Sequence, residues 1–260
     1  MKKDDELSII IYSCWKNRDM WEIFSILFHK YWENCAYKVI LATDEYHDEG
    51  GFNVFDDVVV LDSTWAKMIK AAVKKSGTKY VMLWMDDYLL CDYVDNSDIK
   101  KQLERAKKYY AANIRLVESP KCRGHYKKQK NIGYYRLGEP YSLVTQVGIW
   151  DTAFLNKVLI EKWSAWDFER IGSMQLGCIE QPLLVSLDYV FPYEEGVRKG
   201  KWMVAGEKLC RRNGIKIDAS KRPIMSNFDM AVIYFQGALL DWCPKLILKT
   251  QNFINNVRRR

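Results

Sequence analysis

Residues 7–15, LSIIIYSCW, form an unbroken apolar, β-branched run, the pattern of a strand covered on both faces as in a parallel sheet. After Asp19 the period changes. Met20, Ile23, Phe24, Leu27, Phe28 and Tyr31 recur at helical spacing, which predicts a helix over 19–34 with Asp19 as its cap. Apolar runs over 37–44 and 56–63 predict two more strands, and Asp62 or Ser63 is placed to cap a helix over 64–77 that Gly77 stops. Residues 79–90 read as a fourth strand, and 97–112 as a charged surface helix capped by Ser97. The order β-α-β-β-α-β-α with short connections predicts the α/β class: a mostly parallel, doubly wound sheet with helices on both faces.

The second half is less regular. Residues 119–138 hold six Lys and Arg and no acid, which suits a basic loop or a short exposed hairpin. A buried strand carrying Gln146 is predicted over 141–150, an amphipathic helix over 151–163, a strand over 184–191 and a short helix within 202–217. The chain divides into a main domain, 1–220, and a basic extension, 221–260. Beyond Pro244, Leu246, Phe253 and Val257 align on one helical stripe with Ile247 and Ile254 beside it, and three Arg end the chain. Such a helix suits the anionic inner surface of the cell membrane or packs on its own domain.

Composition narrows the class. With 260 residues, 48% hydrophobic and 28% charged, the chain can bury a full core and is not disordered. The net charge of +7 comes from residues 196–260, where fourteen Lys and Arg face four acids. No nucleic-acid module accompanies that charge, so nucleic acid is not expected as a partner. Seven Cys without a C-x-x-C argue against disulfides and a zinc ribbon and for a reducing compartment. The acidic start MKKDDEL is not a secretory signal, and no run reaches the ~18 apolar residues of a spanning helix. A cytoplasmic location is the expectation. The dinucleotide, P-loop, nucleophile-elbow and zincin motifs are all missing.

The chemistry that stands is acidic. Ligands of such sheets sit beyond the carboxyl ends of the strands, and there the sequence places Asp44, Asp62 and the pair Asp86-Asp87. Asp44 and Asp62 serve equally well as helix caps, and the pair alone could be a surface turn. As a site, the pair supplies hard oxygen suited to Mg²⁺ or Mn²⁺ and, through the ion, to a diphosphate. Neighbours in a strand face opposite ways, so the acids divide: Asp86 for a nucleotide ribose, Asp87 for the metal, with both at one ion only if the strand ends there.

Four stretches carry a resemblance: STWAKMIKAAVKK with YVMLWMDDYLL, then YSLVTQVGIWDTAFL, SAWDFE and VRKGKW. In order and spacing the chain resembles bacterial glycosyltransferases of the GT-A fold, of the kind encoded with capsule, O-antigen and exopolysaccharide synthesis. The likeness covers about residues 7–217. It implies a GT-A-like fold, a Rossmann-like mixed sheet with helices on both faces and a basic, helical C-terminal extension. It also implies a nucleotide-diphosphate sugar as donor and a saccharide, in lipid-linked form, as acceptor. Many such enzymes carry Asp-x-Asp; here the acids are adjacent.

The resemblance assigns roles. Trp166-Asp167-Phe168-Glu169 gives Glu169 as the base that takes the proton of the acceptor hydroxyl in an inverting transfer, with Asp167 binding sugar hydroxyls; helix-capping acids beside core aromatics are the alternative. Ser13, Cys14 and Asp44 would frame base and ribose, with Trp65 stacking nearby or lying in the core. Gln146 would contact the donor sugar or be a buried amide. Arg198, Lys199 and Lys201 around Gly200 would form a flexible cationic loop that closes on the diphosphate. The rival readings are a sugar nucleotidyltransferase, which lacks its Gly-rich loop here, and a catalytically silent saccharide-binding or scaffold protein on the same fold.

Overall fold

The computed structural model describes residues 3–47, 54–176 and 180–242. The first half alternates as the pattern predicts: β1 (Leu7–Tyr12), α1 (Arg18–Trp32), β2 (Lys38–Thr43), β3 (Asp57–Val60), α2 (Trp65–Ser76), β4 (Tyr80–Met85), β5 (Tyr88–Leu90) and α3 (Asn96–Lys108). There follow β6 (Asn113–Arg115), β7 (Ile132–Tyr135), β8 (Gly148–Asp151), α4 (Thr152–Val158) and α5 (Ala165–Asp167), which runs into a π-helical turn, Phe168–Gly172. The chain continues through β9 (Leu183–Ser186), β10 (Tyr193–Glu195), β11 (Val197–Arg198), β12 (Lys201–Trp202), α6 (Val204–Arg212) and α7 (Asn227–Trp242).

Eight strands join in the order β3-β2-β1-β4-β8-β6-β9-β7. Six run one way; β8, between β4 and β6, and β7, beside β9, run the other. This is the Rossmann-like mixed sheet that was expected. Side chains alternate across it. Leu7, Ile9 and Ile11 pack with α1 and α3, while Ile10 and Tyr12 pack with α2 and α4, so each face has its own apolar layer. Buried Trp21, Trp32 and Trp84 share the α1 side with Phe24 and Phe28, which gives the high Trp content a structural task.

Several boundaries differ from the pattern, each for a local reason. The fourth strand stops at Met85 and the chain turns at Asp86-Asp87 before β5 pairs with β10. The cap of α2 is Thr64 rather than Asp62 or Ser63, its hydroxyl accepting from Lys67 N at 3.4 Å, and Gly77 closes the helix at φ +67°. Asp95, not Ser97, caps α3, accepting from Ser97 N at 2.7 Å. Only Gly148–Asp151 of the run 141–150 is strand, because the carbonyls of Tyr141 and Ser142 turn to Arg115 at 2.9 and 2.7 Å. The helix after it stops at Val158. The basic segment 119–138 contributes β7 to the sheet. Residues 222–225 lie against the body: Trp202 N donates to Pro223 O at 3.0 Å and Met225 N to Trp202 O at 2.9 Å. The predicted tail helix beyond Pro244 lies outside the described residues.

Candidate active site

The carboxyl ends of β1, β2, β4 and β6 and the amino end of β8 share one edge of the sheet. On it β1 exits into a tight 3-10 turn, Trp15–Asn17, closed by Asn17 N donating to Cys14 O at 2.8 Å. Trp15 N donates to Asp44 Oδ1 at 2.6 Å, and Thr43 Oγ1 donates to the same oxygen at 3.2 Å. Asp44 thus ties the exits of β1 and β2 together. The Trp15 ring, half-buried, meets His47 edge-on at 4.9 Å and has the Arg18 guanidinium 4.7 Å from its centroid. Cys14 is half-buried, and burial with Asp86 and Asp44 nearby pushes its thiol up, away from a thiolate nucleophile.

The strand ends at the acidic pair, and the two acids part company. Asp86 is 4% exposed. Its carboxylate accepts a short hydrogen bond from Ser13 Oγ, which in turn accepts from Trp21 Nε1 at 2.7 Å. Burial pushes Asp86 up to about 7, against the pull of Ser13 and of Arg222. Arg222 clamps Asp19 with two bonds of 2.8 and 2.9 Å and reaches Asn17 Oδ1 at 2.8 Å. As placed, Asp86 is tied through Oδ2 to Ser13. Asp87 points elsewhere. Its Oδ1 is buried without a hydrogen-bond partner among the described residues, and burial and the charge of Asp86 push its carboxyl well up. Its backbone is pinned by Gly196 N, 2.7 Å from Asp87 O. A buried carboxylate oxygen left unpaired is costly unless something absent from the protein itself satisfies it.

The WDFE segment splits by position. Trp166 is 70% exposed and Phe168 fully buried. Asp167 is spent on the cap of its own helix, its Oδ2 accepting from Ser164 N and Oγ at 3.1 and 2.7 Å, so the capping alternative describes this residue. Glu169, in the π-helical turn, reaches across to Thr145: Thr145 N and Oγ1 both donate to Oε1, at 2.7 and 2.6 Å. That leaves Oε2 for another partner. Burial pushes the Glu169 carboxyl up, opposed by Thr145 and by the Arg115 charge. Thr145 O accepts from the Tyr12 hydroxyl at 2.6 Å, and Tyr12 feels Glu169, Asp87 and Asp86 together. One buried tyrosine therefore anchors the residue that grips the glutamate and feels the charge of the acidic turn.

The remaining predicted residues are distributed unevenly. Gln146 sits in the irregular segment before β8, its Oε1 accepting from Tyr193 OH at 3.4 Å; Tyr193 stacks on Tyr88 at 4.5 Å. Trp65 wedges between Tyr12 and Phe168, at 5.9 and 5.2 Å, as packing behind the site. The expected flexible loop is a hairpin: β11 pairs with β12 through Lys199 and Gly200 at φ +53° and +75°, the two positive dihedrals of a tight two-residue turn. Arg198 is bound to Glu195, and Lys201 to Asp229 at 3.0 Å. Both cations are engaged within the protein, and Lys199 stands at the tip.

No family model matches the chain, and no curated protein matches it. Among solved structures, S. aureus TarS 1-349 is similar at 14% identity over 72% of this chain, with a TM-score of 0.45; the chain spans 59% of that structure's length. The same protein in complex with UDP-GlcNAc aligns at 14% identity over 83% of this chain and 68% of the other, with a TM-score of 0.44. UDP-glucose pyrophosphorylase complexed with UDP-glucose aligns at 12% identity over 75% of this chain and 92% of the other, again at 0.44.

No cluster of three His, Cys, Asp or Glu is set to hold a metal among the described residues. A cation held by one carboxylate and completed by substrate phosphates and water needs no such cluster. The orphaned Oδ1 of Asp87 fits that role, while Oδ2 of Asp86 is committed to Ser13. Three residues were not read from sequence: Arg115, Thr145 and Tyr12. Arg115 lies in a three-residue strand and Thr145 in an apolar run, and their roles arise only from contacts distant in the chain.

Proposed function

We propose that the protein is a GT-A-like glycosyltransferase that moves a sugar from a nucleotide-diphosphate donor to a saccharide hydroxyl with inversion. The observation that carries this reading is Asp87: a buried carboxylate oxygen without a hydrogen-bond partner among the described residues, at the carboxyl end of a central strand. A second, desolvated carboxylate, Glu169, is near enough for both to act on the Tyr12 hydroxyl. In this reading Trp15 and His47 flank the nucleobase, and Asp44 holds their loops in register. Mg²⁺ or Mn²⁺ at Asp87 would neutralise the departing diphosphate. Glu169 Oε2 takes the proton of the acceptor hydroxyl as that oxygen attacks the anomeric carbon and the bond to the diphosphate breaks. Thr145 fixes Oε1, so the free oxygen faces one direction. Trp166 offers an exposed ring to an acceptor sugar face. A carboxyl raised by burial is a stronger base once ionised.

The acceptor in this reading is a saccharide, lipid-linked, with the exposed aromatics of α7 seating the enzyme at a membrane surface and the basic sequence beyond Pro244 supplying the attraction to anionic lipid. Phe228, Tyr234 and Phe235 are all exposed on that helix, and the chain beyond it ends in three Arg. No helix among the described residues is long and apolar enough to cross a membrane.

The test is a screen of nucleotide sugars for thermal stabilisation with Mn²⁺ and with chelator, followed by transfer assays with saccharide acceptors. A donor-specific rise in Tm that chelation removes supports the reading. Glu169→Gln is then expected to lower kcat by about 10²- to 10⁴-fold while the donor still binds, and Asp87→Asn to abolish the metal-dependent part of the shift. Saccharide binding with no donor shift and no donor turnover would identify a silent binding protein instead.

A further inference from the structure

The guanidinium of Arg115 is 1% exposed yet takes no direct part in the reading above. It sits at the carboxyl end of β6, on the edge that carries the site. Its hydrogen bonds go to backbone carbonyls: Nη1 to Ser119 O at 3.1 Å, Nη2 to Tyr141 O at 2.9 Å and to Ser142 O at 2.7 Å. The Tyr135 ring lies 3.6 Å below it, held by its own hydroxyl on Pro120 O at 2.7 Å. Among the described residues no carboxylate hydrogen-bonds this cation. A buried positive charge bound only by neutral dipoles is expensive, and carbonyls alone could be ordered by a neutral amide.

Two features tie Arg115 to Glu169. The segment that Arg115 holds at 141–142 leads within three residues to Thr145, whose N–H and hydroxyl grip Glu169. The same segment is tied to the turn carrying Glu169 from the other side: Leu143 N donates to Ser173 Oγ at 2.8 Å and Ser142 Oγ to Ser173 O at 3.3 Å. Among the described residues, the charged and titratable groups that act on or are acted on by Glu169 are Arg115 from β6 and Tyr12 from β1, with Asp86 and Asp87 acting on Tyr12 from the end of β4.

We propose that Arg115 is the positioning residue of Glu169, holding its Thr145 clamp in place and, as a buried positive charge, opposing the protonation that burial favours. The kinetic consequence rests on Glu169 being the base; the electrostatic pairing does not. Burial alone would leave Glu169 protonated over a wider pH range, and a proton-bearing carboxyl accepts no proton. A fixed cation in the same buried region opposes that protonation without hydrogen-bonding away the free oxygen.

The decisive measurement reads both partners by NMR. In the wild-type protein, labelled with ¹³C at Glu carboxyls and ¹⁵N at Arg, the Arg115 guanidinium is expected to show a step at the Glu169 midpoint. That step should vanish in Glu169→Gln. In Arg115→Met the Glu169 midpoint should rise by at least one pH unit, and the acid limb of kcat/KM should move with it, whereas Arg115→Lys, which keeps the charge, should move both less. Should Arg115→Met fail to fold, the wild-type titration still decides. An Arg115 signal with no step at the Glu169 midpoint overturns the proposal, as does an unmoved midpoint in Arg115→Met. Full activity in Glu169→Gln would instead remove Glu169 as base while leaving the pairing to stand or fall on the titration.

Discussion

Adjacent aspartates at the end of β4 meet opposite fates, and the difference is a matter of which way each side chain leaves the turn. Asp86 goes inward to Ser13 and Trp21; Asp87 keeps an unsatisfied oxygen. A carboxyl raised to about 7 in the folded protein and near its ordinary 3.8 when unfolded binds its proton more tightly in the native state. Its share of stability is therefore fully present below about pH 4 and is lost as pH rises toward about 7. Asp86→Asn has no such loss. The gap in urea midpoint, variant minus wild type, is expected to grow between those pH values and then level off. A gap that stays constant would mean Asp86 is ionised throughout. Sequence spacing placed both acids at a strand end, which the structure bears out. It could not tell which would be buried, because the outcome depends on Ser13 and Trp21, both far away in the chain. Asp167 is the converse case: the Ser164-x-x-Asp167 spacing of a capping box was present in the sequence and fits the observed cap.

At the scale of elements, the acidic turn is held by a contact between two glycines. A Cβ on Gly206 of α6 would lie 2.6 Å from Gly196 Cα and 2.9 Å from Gly196 O. Gly196 is the residue whose N–H binds Asp87 O. Backbone cannot yield as a side-chain tip can, so Gly206→Ala is expected to cost about 1–3 kcal/mol and to displace the turn carrying Asp87. Chemical denaturation gives the first, and loss of the metal-dependent donor shift the second; an alanine variant that keeps both would show that α6 does not support the turn. Thr64→Ala, remote from the chemistry, should cost about 1 kcal/mol and leave donor binding unchanged. The strong periodicities of β1, α1, β2, α2 and β4 were readable because each buries a full face. The segment 141–147 was misread as strand because its apolar side chains are buried as a strand's would be, while the carbonyls of Tyr141 and Ser142 serve a guanidinium rather than a ladder.

For the whole molecule, apolar burial and charge are distributed differently. The sheet and its two helical layers enclose the core, whereas α7 leaves Phe228 77% and Phe235 66% exposed. If α7 is the membrane-seating element, replacing Phe228, Val232 and Phe235 with Ser should abolish co-sedimentation with vesicles containing anionic lipid. Turnover of a soluble acceptor should be unaffected, and Tm should change little because these side chains are already in water. Equal sedimentation of the variant and wild type would assign the helix to another role. The basic excess of residues 196–260 was plain from composition. That Arg198, Lys201 and Arg222 within it are consumed by Glu195, Asp229 and Asp19 was not.

The reversed strand β8 has a further effect. Because it runs against β4 and β6, the chain enters β8 at the edge where its neighbours leave, and the approach to it lines the proposed acceptor side while β1, β2 and β4 serve the donor. In the proposed reading, donor and acceptor are thus served by separate stretches of polypeptide. Replacing Trp166, 70% exposed and outside the donor edge, with Ala is expected to raise the KM for the acceptor while the nucleotide preference persists, so acceptor choice can drift at no cost to donor binding.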